Sequence, residues 1–173
     1  MKHLKQVFIF ALLAFLGFGQ MWATDVTDEL TASDLAATSN TYTDFSGVTK
    51  NTAVYAGNSA KDGSGNIQLR SKNSNSGIVS TTSGGTVKSV TITVGTGTGT
   101  VDVYGSNSAY SAASDLYGNN KGTKVGSVTE TGTINFTDDY TYVGIRSNSG
   151  AIYLSKVEIT WDDGQGGSPQ PAG

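Results

Sequence analysis

The stretch AIYLSKVEITW (residues 151–161) carries two apolar patterns of period two that are out of phase with each other. The first parity is occupied by Ile152 and Leu154, and the second by Val157, Ile159 and Trp161. Because successive side chains of a strand point to opposite faces, this alternation predicts a β-strand with one buried face. The change of phase predicts a β-bulge near Ser155. It also predicts that Trp161 lies in the core rather than on a binding surface.

The same period recurs in four other segments, NIQLRS (66–71), SVTITV (89–94), TVDVYG (100–105) and TYVGIRS (141–147). Short strands separated by Gly, Asn and Ser turns are typical of an all-β protein, and their spacing predicts a single antiparallel β-sandwich. One segment competes with this pattern. In TDELTASDLAA (27–37), Asp28 or Thr31 would cap a single helical turn.

Both ends of the chain differ from this central region. Residues 1–23 combine a basic start with the apolar run VFIFALLAFLGFG, which predicts a secretory signal peptide cleaved after Ala23. Residues 24–161 are the predicted sandwich module, and residues 162–173 have the Gly/Pro-rich composition of a disordered linker or tail, with room for another domain after it. The apolar run is shorter than the ~20 residues of a spanning helix. We therefore expect a secreted protein, periplasmic, cell-surface or extracellular, without membrane insertion.

The composition narrows the chemistry of the mature chain. The only histidine, His3, lies in the predicted signal peptide, and the chain has no cysteine. Ser-His-Asp and Cys-His catalysis and the usual zinc and copper sites therefore lack their side chains. Without Lys2 and Lys5, nine basic residues face fourteen acidic ones, which gives a formal net charge of −5. Since an acidic chain repels phosphate backbones, we expect no nucleic-acid partner.

Arg70 and Arg146 are the only arginines, and they stand in the similar segments LRSKNSNSG (69–77) and IRSNSG (145–150). Each ends a predicted strand on the face opposite the aliphatic residues, and each leads into a Ser/Asn turn. If the two strands are neighbours, the guanidinium groups lie close together and form a polar groove for hydroxyls or a carboxylate. The amide side chains that would join them there are Asn73, Asn75 and Asn148.

The alternative is that the two arginines are structural. Each would then pair with a local acid and hold its own loop in place, since ion-pair networks resemble binding sites. The candidate acids are Asp44, Asp102 and Asp138.

Tyr110 and Tyr117 are two further candidate ligand-binding residues. They stand in the loop after TVDVYG, which is rich in Tyr, Ser, Gly and Asn. Such a composition is typical of recognition surfaces, because Tyr offers a rigid amphipathic area at small entropic cost. Alternatively, Tyr117 and its neighbour Leu116 plug the open end of the sandwich.

Carboxylates and metal ligands give weaker patterns. Asp102 and Glu158 lie on strands at non-core parity and are the pair that a carboxylate-only glycosidase would use. No close cluster of acidic residues accompanies them, so we predict no catalytic residue.

The segment KDGSGN (61–66) lacks the alternating acids and terminal Glu of a helix–loop–helix calcium site. We therefore predict a plain turn there, with no metal site and no cofactor, and leave open a structural calcium ion held partly by backbone carbonyls.

Two long segments resemble galactose-binding-like, discoidin-type jelly-roll modules. VDVYGSNSAYSAASDLYGNNKGTKVGSV (101–128) has their strand, Ser-Asn and loop order, and DYTYVGIRSNSGAIYLSKVEITW (139–161) has their Tyr-Val-x-hydrophobic-Arg strand before a terminal strand. Residues 25–161 are also similar to small secreted β-sandwich domains of gut-dwelling bacteria. The resemblance implies a jelly-roll β-sandwich that binds glycans through loops at one end. The chain departs from the sugar-binding members because it lacks their histidine and places Trp161 on the last strand.

These observations together predict an exported, non-catalytic module that binds an extracellular glycan, or another polar surface ligand, through loops and a polar Arg/Tyr/Asn surface. One alternative is a structural or adhesive spacer that binds no small ligand. The other is the carboxylate-only glycosidase. Convergence of arginine and aromatic side chains on one surface would favour the binding module over the spacer.

Overall fold

The computed structural model describes residues 23–35 and 38–166, which form eleven strands and one short 3₁₀ helix. The elements are β1 (Ala23–Leu30), β2 (Thr43–Thr49), β3 (Val54–Lys61), β4 (Ile67–Arg70), β5 (Gly77–Thr82), β6 (Thr86–Gly97), β7 (Thr100–Ser106), the 3₁₀ helix (Ala113–Tyr117), β8 (Thr123–Val128), β9 (Gly132–Asn135), β10 (Tyr142–Ser149) and β11 (Ala151–Gly166). Every pairing between these strands is antiparallel. The prediction of an all-β antiparallel sandwich is confirmed.

The strands form two layers that are joined into one sheet. In the first layer β9, β6, β11 and β4 follow one another, and β1 pairs with β11. In the second layer the order is β8, β7, β10, β5 and β3, and β2 pairs with β3. β3 connects the layers, because it pairs with β5 through residues 54–58 and with β4 through Ala60 and Lys61.

The core lies between the layers and is built from the parities that the sequence predicted. The apolar residues of all five alternating segments face inward, and almost all are fully buried; they include Ile67, Leu69, Val90, Ile92, Val101, Val103, Val143, Ile145, Ile152, Leu154, Val157, Ile159 and Trp161. Burial of such side chains typically contributes about 1.5–3 kcal/mol each, so this core is the main source of stability.

β11 confirms the predicted bulge and corrects the predicted boundary. The register of β11 against β6 shifts between Leu154 and Lys156, which surrounds Ser155. The strand then continues past the expected end of the module at residue 161, and Asp162 still pairs with both β1 and β6. Ala23, the last residue of the predicted signal peptide, begins β1. The remaining residues of the predicted signal peptide (1–22) and linker (167–173) lie outside the described residues.

A second, smaller cluster covers the outer face of the second layer. The chain between β7 and β8 folds back over the sheet and buries Tyr110 and Leu116 against Tyr104 and Val79. Gly144 of β10 makes this approach possible, because a Cβ atom there would clash with Leu116. Tyr104 is buried, and so is Asp102, which the sequence placed at non-core parity.

Asp28 was considered as a helix cap, and that alternative is wrong. It lies in β1, it has no exposed surface, and its carboxylate accepts a hydrogen bond of 2.7 Å from the Tyr55 hydroxyl. The backbone N–H groups of Thr52 and Ala53 also donate to it, each at 3.3 Å. The Tyr55 oxygen in turn accepts a 3.1 Å hydrogen bond from the Trp161 indole. This buried network joins β1, the turn before β3, and β11.

We expect Asp28→Ala to lower the free energy of unfolding by at least about 2–3 kcal/mol, because it leaves several buried donors without an acceptor, at about 1–3 kcal/mol each. Urea denaturation followed by tryptophan fluorescence would measure the loss. Asp25→Asn, at an exposed position of the same strand, is the matched control and should change stability by less than about 0.5 kcal/mol. Equal effects from the two substitutions would contradict the role assigned to Asp28.

Candidate ligand-binding site

Arg70 is the last residue of β4, and its side chain lies on the outer face of the first layer. Ile67 and Leu69 point into the core, so the alternation of the strand turns Gln68 and Arg70 outward. The guanidinium carbon of Arg70 lies 4.0 Å from the centroid of the Tyr42 ring. This cation–π contact stacks the guanidinium on the ring.

Arg146 lies in β10 on the outer face of the second layer. Its neighbour Ile145 points into the core. The guanidinium carbon of Arg146 lies 4.6 Å from the Tyr117 ring centroid and 5.6 Å from that of Tyr104. Both arginines are therefore held against tyrosine rings and are only part-buried.

Within residues 23–35 and 38–166, neither guanidinium has a hydrogen-bond or ion-pair partner. The Nε atom of each is buried and unpaired. Two of the acids expected to brace the arginines are engaged elsewhere: Asp44 accepts a 2.7 Å hydrogen bond from Asn58, and Asp102 forms a 2.8 Å ion pair with Lys124. The third, Asp138, is exposed and forms no ion pair with an arginine of the described chain. The alternative in which acids brace the arginines is therefore wrong.

Asp102 is opposite Arg146 in the strand register, yet its charge is compensated by other groups. Its carboxylate accepts hydrogen bonds from Ser127 at 2.6 Å and Asn148 at 2.9 Å, in addition to the Lys124 ion pair. Burial by itself would raise the pKa of Asp102, but these three interactions outweigh it and hold the pKa below its ordinary value. Arg146 is thus left without a counter-charge although an acid lies beside it.

β4 and β10 are not neighbours, so the expected route to proximity of the arginines is wrong. β4 pairs with β3 and β11, whereas β10 pairs with β5 and β7. The turns that follow the two arginines meet instead where the chain passes from one layer to the other. The backbone N–H of Ser71, after Arg70, donates to the carbonyl of Gly150, in the turn after Arg146, at 3.1 Å. This bond joins the two similar Ser/Asn turns.

Ser76 links the loop after β4 to Tyr117, the tyrosine that packs against Arg146. The backbone N–H of Arg70 donates to the Ser76 hydroxyl at 3.2 Å. The Tyr117 hydroxyl donates to the Ser76 carbonyl at 2.7 Å. The ring that packs against Arg146 is therefore fixed to the loop that follows Arg70.

Three tyrosines share this electrostatic neighbourhood. The pKa of Tyr42 is raised to about 12, mainly by burial, with Arg70 opposing the rise and the phenols of Tyr153 and Tyr117 adding to it. Tyr153 lies opposite Gln68 in the strand register, and its hydroxyl accepts a 3.3 Å hydrogen bond from the Gln68 amide. We call Arg70, Arg146, Tyr42, Tyr117 and Tyr153 the arginine–tyrosine patch.

The three predicted asparagines take different places around the patch. Asn148 is exposed, and its amide nitrogen donates to Asp102. Asn73 and Asn75 lie in the loop between β4 and β5, where the Asn73 carbonyl accepts the Ser76 N–H at 3.3 Å. Asn75 is exposed and lines a cavity of about 320 Å³ between β2, β3 and the start of the 3₁₀ helix. The structure therefore brings one asparagine to the Arg146 side and two to the Arg70 loop.

The two tyrosines predicted to bind a ligand, Tyr110 and Tyr117, have different environments in the structure. Tyr110 is 3 % exposed, and its hydroxyl donates to the Lys121 carbonyl at 2.8 Å. Its ring therefore packs under the loop and has no surface with which to stack on a ligand. Tyr117 is half-buried, with its ring against Arg146. It covers the outer face of the second layer rather than plugging an open end.

Tyr42 and Tyr153 belong to the patch and were not predicted. Tyr153 was recognisable in part, because it stands at the outward parity of the last strand, the parity opposite that of Ile152 and Leu154. Tyr42 precedes β2 in a polar segment without periodicity. No local pattern indicates that it lies under Arg70.

The KDGSGN segment is a turn that satisfies its own polar groups. The Asp62 carboxylate accepts hydrogen bonds from the Ser64 N–H at 2.9 Å and the Asn66 N–H at 2.8 Å. The side-chain hydrogen bond from Asn66 is the main cause of the lowered pKa of Asp62. Over the part of the chain that the structure describes, no group of three or more His, Cys, Asp or Glu residues is placed to hold a metal ion.

Comparison of the chain with protein-family models, curated proteins and solved structures gives no match. The resemblance to galactose-binding-like modules therefore stays a prediction from the sequence. Among the described residues, no helix has the length and apolar character needed to cross a membrane.

The Tyr42 hydroxyl is buried without a hydrogen-bond partner, so we expect Tyr42→Phe to keep the free energy of unfolding unchanged or to raise it by about 1 kcal/mol. The ring that stacks on Arg70 is retained. Thermal melts would measure the change. Tyr153→Phe is the matched comparison, and it should lower stability slightly because it removes the acceptor of Gln68. A clear loss of stability in Tyr42→Phe would mean that its hydroxyl is paired in solution.

Asp102 should contribute stability that depends on pH. Its folded pKa lies below its ordinary value of about 3.9, so the contribution is complete above that value and is lost as the pH falls through the folded pKa. We expect Asp102→Asn to lower the melting temperature at pH 6, and the difference from the native chain to shrink as the pH approaches 2. Asp138→Asn, at an exposed site, is the control. A difference that stays constant from pH 6 to pH 2 would contradict this prediction.

Proposed function

We propose that this protein is an exported, non-catalytic module that binds an extracellular glycan through the arginine–tyrosine patch. The observation that carries the proposal is the pair of guanidinium groups, each stacked on a tyrosine ring and free of any ion-pair partner within the described residues. A guanidinium has five donors and no acceptor, so the two groups offer a dense set of hydrogen-bond donors.

The tyrosines supply the second element of a glycan site. Sugar rings have apolar faces that pack on aromatic rings, and their hydroxyls and ring oxygens accept hydrogen bonds. Tyr42, Tyr117 and Tyr153 come from three separate parts of the chain and are held near the guanidinium groups. Because stacking already fixes the arginines, little side-chain entropy is lost when a ligand binds. The resemblance to galactose-binding-like modules supports the same function.

The arrangement of the carboxylates favours binding over catalysis. A glycosidase needs two carboxyl groups about 5–9.5 Å apart on one site. Asp102 belongs to β7 in the second layer and is paired with Lys124, whereas Glu158 belongs to β11 in the first layer and is paired with Lys156 at 3.0 Å. The two acids considered for a glycosidase therefore serve separate ion pairs on separate layers. Export and the extracellular location follow from the predicted signal peptide alone.

We expect a glycan array to identify at least one ligand, and Arg70→Lys and Arg146→Lys each to weaken its binding by at least about tenfold. Lysine keeps the charge but loses the planar fork and its stacking. Lys88→Gln, at an exposed position of β6, is the control for a distant charge and should bind like the native chain. Thermal melts would establish that the arginine variants remain folded.

Two outcomes would contradict the proposal. If no glycan binds, the structural or adhesive spacer becomes the better hypothesis. If a glycan binds equally well to the native chain and to both folded arginine variants, the site lies elsewhere on the protein.

A further inference from the structure

We propose that the arginine–tyrosine patch selects saccharides that carry an acidic group, a carboxylate or a sulfate, over neutral ones. This inference rests on the proposed function and names the class of ligand for that same site. Its starting point is that both arginines are uncompensated, although the chain as a whole has a net charge of −3.

The surrounding sequence and structure explain why the two arginines have no counter-charge. The segments 67–77 and 140–157, which carry the two arginines, contain no Asp or Glu, and Lys72 adds a further positive charge. The nearest acid in register, Asp102, is neutralised by Lys124 and accepts bonds from Ser127 and Asn148. The arginine–tyrosine patch therefore presents two uncompensated positive charges on the outer surface of an otherwise acidic protein.

The hydrogen-bonding character of the patch also favours an anion. A neutral sugar hydroxyl is both a donor and an acceptor, so sites for neutral sugars commonly combine arginine or amide donors with carboxylate acceptors. The two guanidinium groups only donate, and the Tyr117 hydroxyl already donates to Ser76. No carboxylate of the described chain is paired with either arginine. A carboxylate or sulfate, which only accepts, matches this arrangement.

The burial pattern indicates how such a group would approach. Nε of each arginine is buried and unpaired. The terminal nitrogens are not among the buried unpaired atoms, and they have no partner in the described chain, so they face solvent. An acidic group would therefore bind end-on, through the two terminal nitrogens, while the tyrosine ring supports the guanidinium face. Charged hydrogen bonds of this kind are stronger than those to a neutral oxygen.

The test compares ligands that differ only in charge, by titration calorimetry on the full chain. One pair is a galacturonic acid trisaccharide and its fully methyl-esterified form, which removes the carboxylates and keeps the rings. The second pair is a sulfated galactan oligosaccharide and its desulfated form. We expect the charged member of at least one pair to bind about tenfold tighter or more, and the preferred pair distinguishes carboxylate from sulfate. That affinity should fall as NaCl rises from 50 to 300 mM, because salt screens the attraction.

Variants then locate the effect. The preference for the charged member should disappear in the folded double variant Arg70→Lys/Arg146→Lys and persist in Lys88→Gln. A preference that survives in the double variant would overturn the inference, since the charge recognised would lie elsewhere. Equal affinity for charged and neutral members would also overturn it and leave the proposed function intact. Failure of every saccharide, on the array and in both pairs, would reject the proposed function itself.

Discussion

The buried carboxylate of Asp28 is the interaction on which the closure of the sandwich depends. A carboxylate without contact to solvent must be surrounded by donors, and Asp28 takes them from Thr52, Ala53 and Tyr55. Burial, together with the adjacent Asp28, raises the pKa of Tyr55 far above its ordinary value, so its hydroxyl stays protonated and continues to donate. The network also includes Trp161, near the end of β11. Because β11 pairs with β1, β4 and β6, anchoring it helps to define the register of the whole first layer.

That register determines where Arg70 lies, since β4 pairs with the first residues of β11. Arg146 precedes β11 by only a few residues but belongs to the second layer, because the chain changes layers at Gly150. The turns that follow the two arginines therefore meet at the junction of the layers rather than along a pair of adjacent strands. The hydrogen bond between Ser71 and Gly150 holds the two turns together at this junction.

The chain between β7 and β8 has two roles, and its polar composition does not indicate which residue serves which role. Tyr110 and Leu116 lie beneath it and give the second layer an additional small core on its outer face. Tyr117, at the end of the 3₁₀ helix, faces the junction of the layers, where its ring packs against Arg146 and its hydroxyl against the loop after Arg70. The same excursion thus stabilises the sheet and supplies an aromatic ring to the patch. A surface held by such contacts loses less entropy when a ligand binds.

The sequence by itself determined five of the eleven strands (β4, β6, β7, β10 and β11), their core-facing residues and the bulge in the last strand, because a period of two in apolar residues is a local consequence of strand geometry. It also singled out Arg70, Arg146 and Tyr117, whose residue types and turn context are local as well. Only the tertiary structure decided that Asp28 is a buried acceptor, that Tyr110 is covered, and that Tyr42 lies under Arg70. Each of these depends on contacts between segments distant in the chain. The hydrogen bond from the Trp161 indole to the Tyr55 hydroxyl is an example of such a contact. Pairing of distant strands is decided by how the layers pack and close, and no local pattern in a single sequence encodes which outward-facing side chains will then meet.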